Sequence, residues 1–251
     1  MTRLSNRDYS WCLNSDWTIT DYIRVPSWNP GPAGAALTVA GWCKPQKGLT
    51  GFSMISKFDY GNNKRSWAVS INGDKLRCII SGNGTTSSWK QYESQNIVAD
   101  YDWHLLGFTW EFGVLKLYID GYETTVNKLF DNSFTNLFQS DRDIMIGALL
   151  QNNQPRSDFS GMLGPQWISG AVWTPTEWEN LYLNGEVPQT NLSAEWLIQE
   201  GSGTTINDSA GSGHHGTMAG MQWIENGGPF RLRDGATNRT AATNRTAATH
   251  R

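Results

Sequence analysis

Cysteine is scarce in this chain, with 3 in 251 residues. Cys12, Cys43 and Cys78 are far apart, form no C-x-x-C and are odd in number, which argues against a disulfide framework and against a cysteine zinc site. Long apolar runs are missing as well. No stretch of about 18 apolar residues occurs, and the opening MTRLSNRDYSWCLNSDW has no apolar h-region, so neither a transmembrane helix nor a secretory signal is predicted. The reading is of a soluble chain folded where it is made. Charge is sparse, at 17% of residues, and nearly balanced, at -3 with a pI near 5.8. Nothing in that balance calls for a nucleic-acid partner or for insertion into a membrane.

The abundant residues are 26 Gly, 13 Trp, 9 Phe and 8 Tyr, a composition of strand formers and turn formers that is poor in long helices. From Leu37 onward short apolar runs alternate with Gly, Asn, Asp and Pro. LTVAGWCKP stops at Pro45, FSMISKF leads into DYGNNK, and SWAVSI meets LRCIIS across NGDK. Asn72-Gly73 between two alternating runs predicts a hairpin, since a type I′ turn needs positive φ at both central residues. HLLGFTWE and VLKLYID repeat the design around Phe112-Gly113. DIMIGAL, DFSGMLGPQWISGAVW and AEWLIQ supply further strands. Trp42, Trp67, Trp110 and Trp173 fall in this pattern as packing residues.

One helix is expected, near 175–183. Thr174 is its N-cap, Pro175 its first residue, Glu177 the partner in a capping box and Asn184-Gly185 its stop, with Trp178, Leu181 and Tyr182 turned inward. Residues 231–251 differ in character. ATNRTA occurs at 236–241 and 242–247 and begins again at 248. No side chain after Leu232 is a large apolar one, so the tail cannot stabilise a core of its own. Arg231, Arg233, Arg239, Arg245 and Arg251 stand there against Asp234 alone, a tail of +4 that leaves -7 for residues 1–230. The N-R-T sequons at Asn238 and Asn244 matter only in a eukaryotic secretory pathway.

Laid out this way, LTVAGWCKP, MISKF, WAVSINGDKLRCII, DWHLLGFTWEFGVLKLYIDG, IMIGAL, FSGMLG, AVWTPTEWENLYLNGE and LSAEWLIQEGSGTTINDSAGSGHHGTM resemble the laminin G-like branch of the concanavalin A-type jelly rolls. The resemblance spans about residues 37–223. It implies an all-β, two-sheet antiparallel jelly-roll sandwich over residues 1–230 with an extended C-terminal tail at 231–251. Residues 1–36 would form an N-terminal arm and first strand, and 191–225 the closing strands, with AEWLIQ pairing beside SDWTITDYIRV. Relatives of this fold include lectins, hydrolases and structural modules, so fold alone does not choose a function.

Several motifs bear on chemistry. GSGHHG, residues 211–216, has the G-x-G-x-x-G spacing of a dinucleotide loop but lacks the strand before it and the capped helix after it. His214 and His215 are neighbours and would point to opposite faces of a strand, a poor chelating pair. Calcium is the metal that the residues suit better, since it takes carboxylate, amide and backbone oxygens from Gly-rich loops. The ligand candidates are Asp208, Asn207, Asp158 and Asp59, with Asn62 beside the last, although Asp208 could equally cap a turn. For glycan recognition, Trp89 and Tyr92 in GNGTTSSWKQYESQN sit in a polar segment where burial looks difficult, and exposed aromatic faces stack on sugars. A catalytic pair is hard to find. No E-x-D-x-E lines up two carboxylates, and the pairs Glu177/Glu179 and Asp141/Asp143 are explained by solvation and helix capping.

A fold whose relatives mostly work outside cells, in a chain with no export signal, leads to a virion protein assembled in the host cytoplasm. The expectation is a non-catalytic phage capsid decoration or fibre component. Its arginine tail and N-terminal arm would dock onto other virion proteins or further copies of the chain, and it would be able to touch cell-surface glycans. The alternatives are a stand-alone carbohydrate-binding lectin module and, third, a polysaccharide-cleaving enzyme.

Overall fold

The computed structural model describes residues 9–16, 20–30, 34–47, 50–157 and 159–229. Asp158 and the tail arginines Arg231, Arg233, Arg239, Arg245 and Arg251 lie outside the described residues.

The first strands are β1 (Trp11–Asp16), β2 (Tyr22–Val25), β3 (Ala36–Pro45) and β4 (Thr50–Asp59). Next, β5 (Lys64–Asn72) and β6 (Lys75–Ser81) form a hairpin with Gly73 and Asp74 both at positive φ, +55° and +66°. This is the type I′ geometry expected, shifted one residue so that Asn72 pairs with Lys75. After β7 (Trp89–Ile97), β8 (His104–Glu111) and β9 (Val114–Ile119) turn at Phe112-Gly113 as the sequence predicts. Shorter strands follow: β10 (Tyr122–Glu123), β11 (Val126–Asp131), β12 (Ile144–Ile146), β13 (Ala148–Gln151) and β14 (Gln154–Ser157). The long β15 (Ser160–Ser169) leads to α1 (Pro175–Asn184). The described chain closes with β16 (Leu192–Trp196), β17 (Thr205–Ile206), β18 (Gly216–Ala219) and β19 (Gln222–Glu225).

These strands make two largely antiparallel sheets, confirming the all-β sandwich. One runs β10-β9-β8-β3-β15-β1-β19, with β16 also on β15. The other runs β11-β7-β6-β5-β4-β12-β2-β18-β17, with the β13–β14 hairpin beside β4. The closing segment does reach the N-terminal strands, but not as expected: β18 pairs with β2 and β19 with β1, whereas only the AEW of AEWLIQ is in a strand, β16, which pairs with β15. The described part of the expected N-terminal arm thus holds two strands, β1 and β2, one in each sheet.

Period-two alternation builds the core between the sheets. Trp67, Val69 and Ile71 of β5 and Leu76, Cys78 and Ile80 of β6 meet Val39, Phe108, Trp110, Leu117 and Leu163 of the facing sheet. The first sheet is buried on its other face too. There α1 lays Trp178 and Leu181 over Ala40, Trp42, Leu105, Tyr118 and Trp167. Strands buried on both sides read as continuous apolar runs, which is the pattern of β3 and β8. The helix keeps its predicted ends: Thr174 and Glu177 close a capping box, and Gly185 ends it at φ +67°. Trp178 stacks on Tyr118 at 4.5 Å and 1°. A side chain at Gly107 would come within 2.7 Å of its Cη2 atom, so glycine there sets how closely helix and sheet approach.

Cys12, Cys43 and Cys78 are buried free thiols. Trp178→Ala would leave a cavity beneath the helix and should destabilise the protein by about 3–5 kcal/mol. Urea unfolding checks this, and a loss below about 1 kcal/mol would show that α1 is not anchored by this residue.

Candidate functional site

The expected glycan residues sit at an edge of the second sheet, and one of them is not available. Tyr92 is 3% exposed and belongs to the core between the sheets. Its hydroxyl donates to Asp131 Oδ1 at 2.5 Å. The polar look of its segment is the alternation of a half-buried strand, so Tyr92 points inward and presents no face to a sugar. Trp89 is half-buried and packs against Phe130, ring centroids 5.2 Å apart. It lies on the opposite face of β7, near Gln91 and Glu93.

The expected calcium ligands do not come together. Asp59, 0% exposed, accepts from Gly61 N at 3.3 Å, Asn62 Nδ2 at 2.9 Å, Arg142 Nε at 3.0 Å and Asn153 N at 3.0 Å. Burial disfavours its charge, but the donors from Asn62, Asn153 and Arg142 outweigh that and hold its pKa below the usual carboxylate value. A guanidinium already fills the cation's role. Asp208 lies elsewhere, bridged to Trp196. Its Oδ1 accepts from the backbone N–H of Glu195 and of Ala210, and its Oδ2 from that of His214, each at 3.0 Å. The carboxylate caps a turn, the alternative reading of DSAGSG. Asn207 bonds Glu200 through both its backbone and its side-chain amide. Among the described residues no group of three or more His, Cys, Asp or Glu could hold a metal ion.

The acidic pairs are also engaged. Glu177 caps α1, and Glu179 accepts from the Tyr122 hydroxyl at 2.9 Å. Asp143 pairs with Arg24 at 2.5 Å and accepts from Ser27 N, while Asp141 contacts Lys64 at 3.4 Å.

The fold brings together a different constellation. His104, 7% exposed, begins β8 with Nε2 2.9 Å from Asp100 Oδ1 and Nδ1 2.9 Å from Asp120 Oδ2. Both ring nitrogens can donate only in the imidazolium. Burial of the ring works against that charge, but Asp120 and then Asp100 outweigh it and raise the pKa to about 8. Asp120 also accepts from Leu105 N at 3.1 Å. The clamp ties the β7–β8 loop to the end of β9. These two segments wall an open cleft of about 740 Å³ lined by Asn96, Ile97, Asp100, His104, Tyr122 and Glu123, among others. Ile97 and Tyr122 expose 57% and 53% of their surface there. The signal in the sequence was DYDWH with YIDGY, two aspartates at turns flanking one histidine, but only strand pairing shows that they meet.

A second cleft, of about 420 Å³, lies at the GSGHHG loop. The Trp28 and His214 rings stack there at 4.0 Å and 4°.

The His104 clamp makes stability depend on pH. A histidine whose pKa rises on folding contributes fully below its unfolded value near 6.5, and the contribution is lost as pH rises through about 8. His104→Gln should remove about 2 kcal/mol at pH 6 and much less at pH 9. Chemical denaturation at the two pH values checks this; an equal loss at both would sink the charged clamp.

The family model described as the concanavalin A-like lectin/glucanases superfamily matches residues 17–179. No protein of curated function matches the sequence. Among solved structures, the fold is similar to a candidate carbohydrate binding protein from Bacteroides ovatus, with a TM-score of 0.64 and 15% identity over 90% of this chain and 63% of that one. It is also similar to the heptameric SAP-like pentraxin of Limulus polyphemus, with a TM-score of 0.58 and 16% identity over 86% of this chain and 98% of that one. The chain therefore spans less than two thirds of the Bacteroides protein, and at such identities the likeness is one of fold. The closing strands β16 to β19 lie beyond the matched residues yet complete both sheets. On that match the chain belongs to the concanavalin A-like lectin/glucanase superfamily.

Proposed function

We propose that this protein is a non-catalytic carbohydrate-binding module whose ligand enters the His104 cleft. The observation that carries the reading is the pairing, in one open cleft, of exposed apolar faces on Tyr122 and Ile97 with the polar side chains of Asn96, Asp100 and Glu123. A sugar ring presents that same combination, an apolar C–H face and a rim of hydroxyls. The walls are held in advance, since Asp100 and Asp120 are fixed by His104, and Asn96 Nδ2 lies 3.4 Å from Thr124 Oγ1. Such preorganisation lowers the entropy cost of binding. The acid-rich lining favours neutral saccharides over those bearing carboxylates, because a second anion there would be repelled.

Membership of a superfamily of lectins and glucanases supports the ligand class, and the engagement of the acidic pairs in caps and ion pairs supports a binding role over catalysis. The phage-particle reading has no such support. It rests on the tail arginines and the N-terminal segment, much of which lies outside the described residues. Trp89, beside Gln91 and Glu93 on the outer face of β7, is the competing contact surface.

A glycan array followed by calorimetry tests the proposal. Neutral glycans should bind, Tyr122→Ala should weaken binding about tenfold or more, and Trp89→Ala and added calcium should leave it unchanged. Loss of binding in Trp89→Ala with Tyr122→Ala intact would move the site to the outer face. Turnover of a polysaccharide would overturn the binding-only reading.

A further inference from the structure

The second cleft has features that the proposed function does not use. Its walls come from four places in the chain: Trp28 and Asn29 after β2, Gly170 after β15, Asn191 to Ser193 at the start of β16, and Ser212 and His214 in the Gly-rich loop. The loop is held firmly. His214 N donates to Asp208 Oδ2 at 3.0 Å, and its carbonyl accepts from Trp196 Nε1 at 2.7 Å. Its imidazole lies flat on the Trp28 indole. Burial lowers the pKa of His214, more than the Asp208 carboxylate restores it. The ring is therefore mostly neutral at pH 7, and among the described residues no other titratable side chain lines the cleft.

Polar groups here lack partners. Trp28 Nε1 is buried without a hydrogen bond. The side chains of Asn29, Asn191 and Ser212 are exposed at the rim of the cleft with no protein partner among the described residues, while the neighbouring Ser193 hydroxyl is taken up by Asn191 O and Gly170 N. A buried N–H left unpaired costs about 1–3 kcal/mol, and a small shift of the Trp28 ring toward the cleft would let a bound polar molecule recover that cost.

We infer that the Trp28–His214 cleft is a second saccharide site, which takes a short neutral sugar segment by its hydroxyl edge through Trp28 Nε1, Asn29, Asn191 and Ser212. The ligand class rests on the carbohydrate-binding reading; the site itself rests on the cleft, the unpaired Trp28 indole N–H in its wall and the free polar side chains at its rim. Stacking by His214 covers one face of the indole, so recognition here is by hydrogen bonds to the sugar's rim, unlike the apolar contact offered by Tyr122.

The two clefts lie at opposite ends of the strands. Ser169, next to Gly170, pairs with Thr38 of β3, whereas His104 pairs with Cys43 of the same strand. Five residues of strand separate these positions by roughly 17 Å. One chain thus offers two separate sites, and a polymeric or surface-bound neutral glycan would be held with avidity or cross-linked.

The test follows amide and indole N–H signals of the full-length protein by NMR during titration with lactose, cellotetraose, maltotetraose and the N-acetylglucosamine trimer. Trp28→Phe assigns the Trp28 indole signal and keeps an aromatic ring against His214. The expected result is a saturable shift of the Trp28 indole and Asn191 side-chain signals with at least one sugar. In Trp28→Phe and in Asn191→Ala, affinity at this cleft should fall about tenfold, with the shifts around Tyr122 and the melting temperature retained. Shifts confined to the His104 cleft, or to the Trp89 face, for every sugar would overturn the second site and leave the carbohydrate reading intact. Shifts nowhere overturn both.

Discussion

Trp178 lying flat on Tyr118, above a glycine at position 107, is the contact on which the arrangement of the first sheet depends. It gives that sheet a second buried face, and with it the reason why β3, β8 and β15 are buried on both sides. The same contact positions the His104 cleft. Tyr118 precedes Ile119 and Asp120 at the end of β9, and His104 opens β8, so the ring that anchors the helix shares one hairpin with His104 and Asp120, while Asp100 reaches the clamp from the β7–β8 loop. On the helix itself Glu179 takes the Tyr122 hydroxyl, which fixes the aromatic face at the cleft's rim.

Carboxylates in this protein serve mainly to organise loops. Asp59, Asp120 and Asp208 each accept a backbone N–H at a turn, and each thereby satisfies a donor that no strand partner reaches. That use accounts for the resemblance of DYGNN and NDSAGSG to calcium loops, since Asp, Asn and Gly at short spacing suit either an ion or a ring of N–H groups. What separates the outcomes is the direction in which the backbone dipoles point, a tertiary property. In both loops they point at the carboxylate.

The two clefts differ in their chemistry. One is wide, acid-rich and rimmed by exposed Tyr122 and Ile97; the other is smaller, uncharged and edged by amides and an indole N–H. Both are set by elements distant in sequence but adjacent in register, and both are stiffened by hydrogen bonds that exist without ligand. A jelly roll suits this division, because strand ends on either side of the sandwich can vary without disturbing the core between the sheets.

Much of the fold was legible in the residues themselves. Turn chemistry at Asn72-Gly73 and Phe112-Gly113, the capping box at Thr174 and the alternation of Trp67, Val69 and Ile71 are local signals, each governed by φ preference or by a period of two. The sites were far less so. The polar neighbours of Tyr92 suggest exposure, yet alternation turns it inward; the partner of the strand in AEWLIQ is not legible, because pairing between remote strands leaves no local trace. By itself, then, the sequence determined the strand content, the hairpins, the single helix and its ends, all interactions within a few residues. Only the tertiary structure decided which carboxylates meet His104, which ring covers His214 and where clefts open, because those contacts join residues up to 186 positions apart and depend on register between strands that no short-range preference encodes.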